Sequence, residues 1–246
     1  MARKLIACLL ALLPGIAAAA GGAAYLQPVS VDISNEAALQ RGAKFFVNYC
    51  LGCHSAQYVR YNRLAMDLGL TEEQLVENLM FTGERPFDTM EIAMPAQESA
   101  TWFGRTPPDL SLVARARGES WIYSFLKSFY LDPSKPTGTN NLVLSGASMP
   151  HVLWELQGVQ RAVFRQETDA QGGVHEVFDR FEIVTPGSMD PQQYDTMVRD
   201  LVTFLSYIGE PVQLERRALG IKVILFLLVF LLFAVLLKKE IWKDVH

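Results

Sequence analysis

Apolar residues are concentrated at the two ends of this chain of 246 residues. An apolar run at 5–13 follows the basic residues Arg3 and Lys4 and precedes small residues at 17–20. Because roughly 20 apolar residues are needed to span a bilayer, this shorter run predicts a cleaved signal peptide over residues 1–20. Near the other end, residues 218–237 are apolar except for Lys222, which predicts a transmembrane helix.

The charges that flank the second apolar segment predict its orientation. Lys238, Lys239 and Lys243 follow it, and positively charged residues favour the cytoplasmic side. The tail, residues 238–246, is therefore predicted to be cytoplasmic. Residues 21–217 then lie on the other side, which is the periplasm in a bacterium, and the signal peptide predicts the same orientation.

Between the two ends, helical spacing predicts a mainly α fold. A helix leads from Ser34 and Asn35 to Cys50, and 121–130 has a helical pattern. Asp190 and Pro191 form an N-cap signal for a third helix. One stripe of that helix is apolar and predicted to face the core: Val198, Leu201, Val202, Leu205 and Ile208.

Two further segments are not predicted to be helical. Residues 131–150 are rich in Pro, Gly, Ser and Asn, which indicates a long loop. Gly172 and Gly173 separate possible strands at 161–167 and 175–184, which predicts a small β-hairpin. His175, beside this turn, is predicted to lie on the surface and not to be a ligand.

Charge changes the range of possible partners. Residues 21–217 contain 16 Lys and Arg against 24 Asp and Glu, a net charge of −8, which disfavours nucleic acid and favours a basic protein. Residues 67–98 hold eight acidic residues and one base, Arg85. This segment is either a solvated surface or a docking face.

The stretch "CLGCH" at 50–54 carries the main chemical signal. If Cys8 is removed with the signal peptide, Cys50 and Cys53 are the two remaining cysteines. A zinc site needs about four ligands, and a thioredoxin-like pair normally follows a strand. A helix precedes Cys50 instead, and C-x-x-C-H is the attachment signature of haem c, in which the histidine is the proximal iron ligand. The sequence thus predicts one covalent haem c on Cys50, Cys53 and His54.

The second iron ligand is not settled by spacing. Met94 in "AMP" and Met149 in "SMP" each precede a proline, which stiffens the neighbouring backbone. A methionine opposite histidine raises the reduction potential of a haem. His151 is a third possibility.

Four blocks in order resemble the bacterial form of the cytochrome c1 family: "CLGCHS", "TPPDLSLVARAR", "SMPHVLWELQG" and "DLVTFLSYIGEPVQLERRALGIKVILFLLVF". The resemblance implies that Met149, which follows the "PPDLS" block, is the distal ligand. It also implies that Arg117, with Arg115 as the alternative, lies near a haem propionate and that Pro108 lines the haem pocket. No disulfide is expected.

The resemblance also implies a function and partners. A periplasmic cytochrome c-type haem domain over 21–209, a linker over 210–217 and the membrane anchor would form the haem-bearing subunit of a dimeric cytochrome bc1 complex. This subunit would relay one electron from a Rieske iron–sulfur protein, beside cytochrome b, to a soluble cytochrome c. The alternatives are another membrane-bound mono-haem cytochrome c, such as an oxidase subunit or a free electron shuttle, and a structural or zinc-binding module.

Overall fold

The computed structural model describes residues 25–168 and 172–243, which form nine helices and three two-stranded antiparallel sheets. The predicted signal peptide lies outside these residues. The helices are α1 (Glu36–Tyr49), α2 (Tyr61–Asp67), α3 (Glu72–Asn78), α4 (Ala96–Phe103), α5 (Val113–Arg117), α6 (Glu119–Lys127), α7 (Trp154–Gln157), α8 (Pro191–Gly209) and α9 (Gln213–Ile241). The strands pair as β1 (Ala56–Arg60) with β2 (Thr89–Met90), β3 (Phe129–Leu131) with β4 (Thr139–Asn141), and β5 (Gly158–Thr168) with β6 (Val174–Pro186). The predicted mainly α fold is confirmed.

The core is built on the contact between α1 and α8. Gly42 of α1 meets the backbone of α8: a Cβ atom there would overlap the Asp200 carbonyl oxygen and lie 2.7 Å from the Phe204 Cβ. The rings of Phe46 and Phe204 are in contact, with centroids 5.4 Å apart. Beside them, the Arg41 guanidinium pairs with the Asp200 carboxylate at 2.6 Å. This close approach fixes the direction of α1 and therefore the position of Cys50 at its end.

Helix α8 has the predicted cap and the predicted buried stripe. The Asp190 carboxylate accepts hydrogen bonds from the backbone N–H groups of Gln192 and Gln193, each at 2.9 Å. This bonding satisfies two N–H groups that the first helical turn would otherwise leave free. All five predicted stripe residues are buried: Val198, Leu201, Val202, Leu205 and Ile208.

The chain between α6 and α7 follows the predicted loop for most of its length. The predicted helix at 121–130 is observed as Glu119–Lys127, because Phe129 pairs with Asn141 as part of β3. Strand β4 is a short interruption of the predicted loop at 131–150. The predicted hairpin is present, and its strands are longer than predicted. His175 is exposed, as expected.

Helix α9 contains 29 residues and is long and apolar enough to cross a membrane. At about 1.5 Å per residue it is roughly 43 Å long, against a hydrocarbon core about 30 Å thick. It begins at Gln213, so only residues 210–212 of the predicted linker at 210–217 separate it from α8. The core helix α8 and the apolar helix α9 are thus joined by three residues.

Candidate functional site

The two cysteines lie on a tight turn that continues from α1. Cys50 caps the helix, and its N–H group donates to the Phe46 carbonyl at 2.9 Å. The Cys50 carbonyl then accepts from the N–H groups of Cys53, at 3.0 Å, and His54, at 2.9 Å. Both thiols are free, and burial, with a smaller contribution from Cys53, raises the pKa of the Cys50 thiol to about 12. A reactive redox cysteine has a lowered pKa, so this environment does not fit a thioredoxin-like pair.

The ring of His54 is oriented by the backbone of the "PPDLS" block. Its Nδ1 lies 2.7 Å from the Pro108 carbonyl oxygen. Because a carbonyl only accepts, the proton is on Nδ1 and the lone pair on Nε2 is available to a metal. Burial lowers the pKa of His54, against smaller opposing effects of the Pro108 hydrogen bond and Asp109. The ring is therefore neutral at neutral pH.

The "PPDLS" block is bonded along the segment that follows the C-x-x-C-H turn. The Asp109 carboxylate accepts from the Gln57 N–H at 2.9 Å, and the Ser111 hydroxyl accepts from the Tyr58 N–H at 3.2 Å. In the other direction, the Leu110 N–H donates to the Ser55 carbonyl at 2.8 Å. These bonds hold the Pro108 carbonyl beside the His54 ring. The block therefore has a structural role at the C-x-x-C-H turn.

One cavity of about 550 Å³ brings several of the predicted residues together. Cys53, His54, Pro108 and Met149 all line it. Its other lining residues are Tyr49, Phe103, Arg105, Pro107, Ser148, Pro150 and Val152. Its walls are mainly apolar, as is usual for cofactor and ligand sites. A histidine with a free Nε2, a thioether and a thiol in one apolar cavity are the donors that haem c requires, so these residues fit that group.

The loop that carries Met149 is organised by two buried asparagines, which the sequence analysis did not identify. The Asn140 side-chain oxygen accepts from the Gly146 N–H at 2.8 Å. The Asn141 side chain donates to the Phe125 carbonyl at 2.8 Å and accepts from the Val143 N–H at 2.9 Å. The sequence signal for this role was the pair of adjacent asparagines in a loop rich in Pro and Gly. Buried side-chain amides usually bond to the backbone, so such a pair can organise a loop.

The three possible distal ligands lie at different places in the structure. Met149 lines the cavity with His54, whereas Met94 and His151 are not among its described lining residues. Met94 lies between β2 and α4. His151 is buried and lines a second cavity, and burial lowers its pKa to about 4. Its ring is therefore neutral and faces a different space from His54.

The two arginines that the resemblance placed near a haem propionate lie beside α6 and α8. The Arg117 guanidinium lies over the Trp121 ring, 5.1 Å from its centroid, and the Arg115 side chain lies against Gly209. Among the described residues, neither lines the cavity, but Arg105 does. The role of Arg117 toward a propionate stays a prediction, and Arg105 is a basic residue at the cavity that sequence reasoning missed. Its position three residues before Pro108 was the available signal.

Comparisons with known proteins identify the family of the chain. A model of the Cytochrome C1 family matches residues 30–159 and 182–245. The cytochrome c1 of Allochromatium vinosum is 48% identical over 246 residues, covering 100% of both chains. The ammonia monooxygenase gamma subunit of Nitrosomonas europaea is 44% identical over 242 residues, covering 98% of this chain and 97% of that one. The mitochondrial cytochrome c1 haem protein of Saccharomyces cerevisiae is 25% identical over 234 residues, covering 86% and 68%.

The matched segments include the parts of the chain that build the cavity. Cys53, His54, Pro108 and Met149 all lie within residues 30–159. The family match extends over more than half of the chain, and the 48% identity to one relative extends over its full length. The chain therefore belongs to the cytochrome c1 family, the haem-bearing subunits of cytochrome bc1 complexes.

Proposed function

We propose that this chain is a membrane-anchored electron relay within a quinol:cytochrome c oxidoreductase complex. It takes one electron from a Rieske iron–sulfur protein and passes it to a soluble cytochrome c, and it breaks no substrate bond itself. The observation that carries this proposal is the convergence of Cys53, His54 and Met149 on one apolar cavity. Membership of the cytochrome c1 family supports the same function.

The two cysteines, His54 and Met149 each have a specific task in this proposal. Cys50 and Cys53 would hold one haem c covalently, and His54, through Nε2, and Met149 would be the protein ligands of its iron. When bound, haem c supplies a one-electron iron couple. The Pro108 carbonyl fixes the tautomer and orientation of the His54 ring, which also makes Nε2 a stronger ligand. The apolar walls exclude water from the site.

The cavity reaches the surface as well as the interior. Pro108, Arg105 and Pro150 line it and are exposed. A site that is dry inside and open at one edge suits electron exchange with protein partners that dock and leave. We infer that the two partners use this exposed edge.

Arg105 is proposed as a partner of a haem propionate, because an anionic propionate at a partly apolar site is stabilised by a charged hydrogen-bond donor. We expect Arg105→Gln to lower the reduction potential by tens of millivolts, because losing a nearby positive charge stabilises the oxidised haem. About 59 mV corresponds to one tenfold change in a one-electron equilibrium. Redox titration of the purified complex measures this change.

Arg117→Gln is the matched comparison for Arg105→Gln. A larger decrease in the potential for Arg117→Gln than for Arg105→Gln would restore the assignment that the family resemblance implied. No change for Arg105→Gln would remove Arg105 from the proposed propionate site.

The acidic segment at 67–98 is proposed as the docking face for a basic soluble cytochrome c. In the structure, Asp67 and Asp88 are already paired with arginines, Arg63 and Arg85. Six other acidic residues of this segment are exposed and have no ion pair within the described residues: Glu72, Glu73, Glu77, Glu84, Glu91 and Glu98. These six, rather than all eight, supply the unpaired charge that a basic partner would meet.

Reversing two of these charges tests the docking face. We expect Glu73→Lys with Glu77→Lys to slow electron transfer to a basic cytochrome c by about tenfold at low ionic strength, because electrostatic steering accelerates association. Leu75, which attaches α3 to the core, is unchanged. The effect should vanish near 1 M salt, where the screening length is about 3 Å.

The control is a double variant with the same total charge change outside residues 67–98. Glu155 and Glu176 are exposed acids outside the segment, and their reversal to lysine should leave the rate nearly unchanged. Equal slowing in both double variants would show that net charge matters and that residues 67–98 are not a docking face.

The proposed orientation places the haem domain in the periplasm of a bacterium and the C-terminus in the cytoplasm. Lys238, Lys239 and Lys243 beyond the apolar segment support a cytoplasmic tail. The proposed cleavage of residues 1–20 agrees with the same orientation. We also propose that the complex is dimeric, as the family resemblance implies.

Co-purification tests the function against its alternatives. With an affinity tag on this chain, we expect cytochrome b and a Rieske protein to be retained in mild detergent, together with quinol-dependent reduction of a soluble cytochrome c. Retention of an oxidase or of an ammonia-oxidising enzyme instead would overturn the proposal. The chain alone would indicate a free electron shuttle.

A further inference from the structure

Met149 lies in a segment that forms neither helix nor strand. This segment follows β4 and ends before α7, and we call residues 142–150 the ligand loop. Loops are usually the more mobile parts of a fold, because few of their backbone groups are bonded to the core. The hydrogen bonds of the ligand loop therefore decide how firmly Met149 is held at the cavity of His54.

Asn141 ties the start of the ligand loop to the end of α6. It is 1% exposed, and its side-chain nitrogen donates to the Phe125 carbonyl, in the last turn of that helix, at 2.8 Å. Its side-chain oxygen accepts from the N–H groups of Val143, at 2.9 Å, and Leu144, at 3.1 Å. Because the carbonyls of a last helical turn lack partners within the helix, Asn141 uses an acceptor that α6 leaves available. The loop is thereby bonded to a fixed point of the core.

Asn140 holds the part of the loop that lies closer to Met149. It is 6% exposed, and its side-chain oxygen accepts from the Gly146 N–H at 2.8 Å, three residues before the methionine. Gly146 has a φ of +73°, which favours glycine, and it belongs to a turn closed by a 3.2 Å hydrogen bond from the Ala147 N–H to the Leu144 carbonyl. Asn140 thus fixes the last turn before Met149.

The other end of the Asn140 amide is bonded as well. Its side-chain nitrogen donates to the Asp132 carboxylate at 2.9 Å. The second oxygen of that carboxylate accepts from the Ser134 hydroxyl at 2.6 Å, so the carboxylate is itself held in place. Rotation of the Asn140 amide would break bonds at both of its ends. Gly146 therefore has an acceptor whose position is fixed from two sides.

We propose that Asn140 and Asn141 are positioning residues for Met149, which hold the ligand loop so that the methionine lines the cavity of His54. Neither asparagine is among the described lining residues of that cavity, so both act through the backbone of the loop. A ligand that is held in its bound position loses less conformational freedom when it binds. This inference rests on the proposed role of Met149 as an iron ligand.

The strength of the methionine–iron bond can be measured separately from the stability of the fold. A haem iron that loses one protein ligand has an open position, and carbon monoxide binds there when the iron is reduced. The rate of carbon monoxide binding therefore reports how often Met149 leaves the iron. The weak near-infrared sulfur-to-iron band reports the same bond in the oxidised protein. A residue that only stabilises the fold would leave both measurements unchanged at temperatures where the protein is folded.

Asn140→Asp tests the inference with almost no change in side-chain size. It keeps an oxygen for the Gly146 N–H but sets two carboxylates against each other at Asp132, which should displace the turn before Met149. We expect carbon monoxide to bind the reduced complex about tenfold faster, since outer residues that hold a metal ligand typically have effects of that size. The near-infrared band should be lost at a lower temperature. Optical spectra of the purified complex, after mixing with carbon monoxide and during heating, measure both effects.

A second substitution at the partner residue shows whether the bond itself is responsible. Asn140→Asp combined with Asp132→Asn exchanges donor and acceptor, so an amide again faces a carboxylate and both measurements should return toward those of the unmodified complex. Asn78→Asp makes the same chemical change at an exposed site on α3 and should have no effect. If Asn140→Asp does not assemble, Asp132→Ala removes the same bond from its less buried end and should give a smaller change in the same direction.

The possible outcomes separate this inference from the proposed function. Carbon monoxide binding that is unchanged in Asn140→Asp, or that the double variant fails to restore, would overturn the positioning role while Met149 remains the proposed ligand. Equal effects of Asn78→Asp and Asn140→Asp would overturn it too, since added charge would then explain both. Rapid carbon monoxide binding and no near-infrared band in the unmodified complex would refute the ligand role of Met149, and the positioning role with it.

Discussion

Met149→Leu should lower the reduction potential of the haem by a few tenths of a volt and abolish the near-infrared sulfur-to-iron band. The thioether sulfur favours the reduced iron, and leucine offers no donor atom in its place. Axial ligands together span roughly 0.8 V, so the loss of one is expected to outweigh any change in the outer residues. Redox titration and optical spectra of the purified complex measure both effects.

Met94→Leu is the matched control, because it makes the same substitution in the other Met-Pro pair. Met94 is not among the described lining residues of the cavity, so both the potential and the band should stay as in the unmodified complex. If Met94→Leu abolished the band and Met149→Leu did not, the proposed ligand pair would be wrong. The arrangement of the cavity would then have to change on haem binding.

Much of the fold could be predicted because its signals are local. The N-cap and the buried stripe of α8 are encoded within one helix, by Asp190 and by apolar residues at helical spacing. The membrane helix is encoded by length and composition alone. Its start at Gln213 was missed because the charged first turn of α9 does not resemble a membrane segment, although the backbone continues as one helix.

The site could be predicted only in part, because it is assembled from distant segments. The C-x-x-C-H turn is local, so the sequence alone predicts its role in haem attachment. The choice between Met149 and Met94 depended on which loop folds back over His54, and spacing does not encode that. Arg105 was missed for the same reason: its place at the cavity follows from hydrogen bonds between the "PPDLS" block and the segment after His54, such as Leu110 to Ser55.

Removing the two thiols should abolish covalent attachment of the haem completely. Cys50→Ala with Cys53→Ala leaves no sulfur in the cavity turn to form a thioether. We expect the red band on a denaturing gel to disappear and any remaining haem to be extracted into acidified acetone. The proposed iron ligands His54 and Met149 are unchanged in this variant, and the extraction detects any haem that they hold without a covalent bond.

Cys8→Ala makes the same substitution at the cysteine that is predicted to leave with the signal peptide, and it should keep the red band at full intensity. The single variants Cys50→Ala and Cys53→Ala should each leave one thioether, which shifts the spectrum of the extracted haem derivative because one vinyl group stays unsaturated. The burial that raises the pKa of Cys50 to about 12 argues against a redox pair, and a covalent product argues the same way. A red band that survives in the double variant would show that neither thiol attaches the haem. The C-x-x-C-H turn would then have to act through His54 alone.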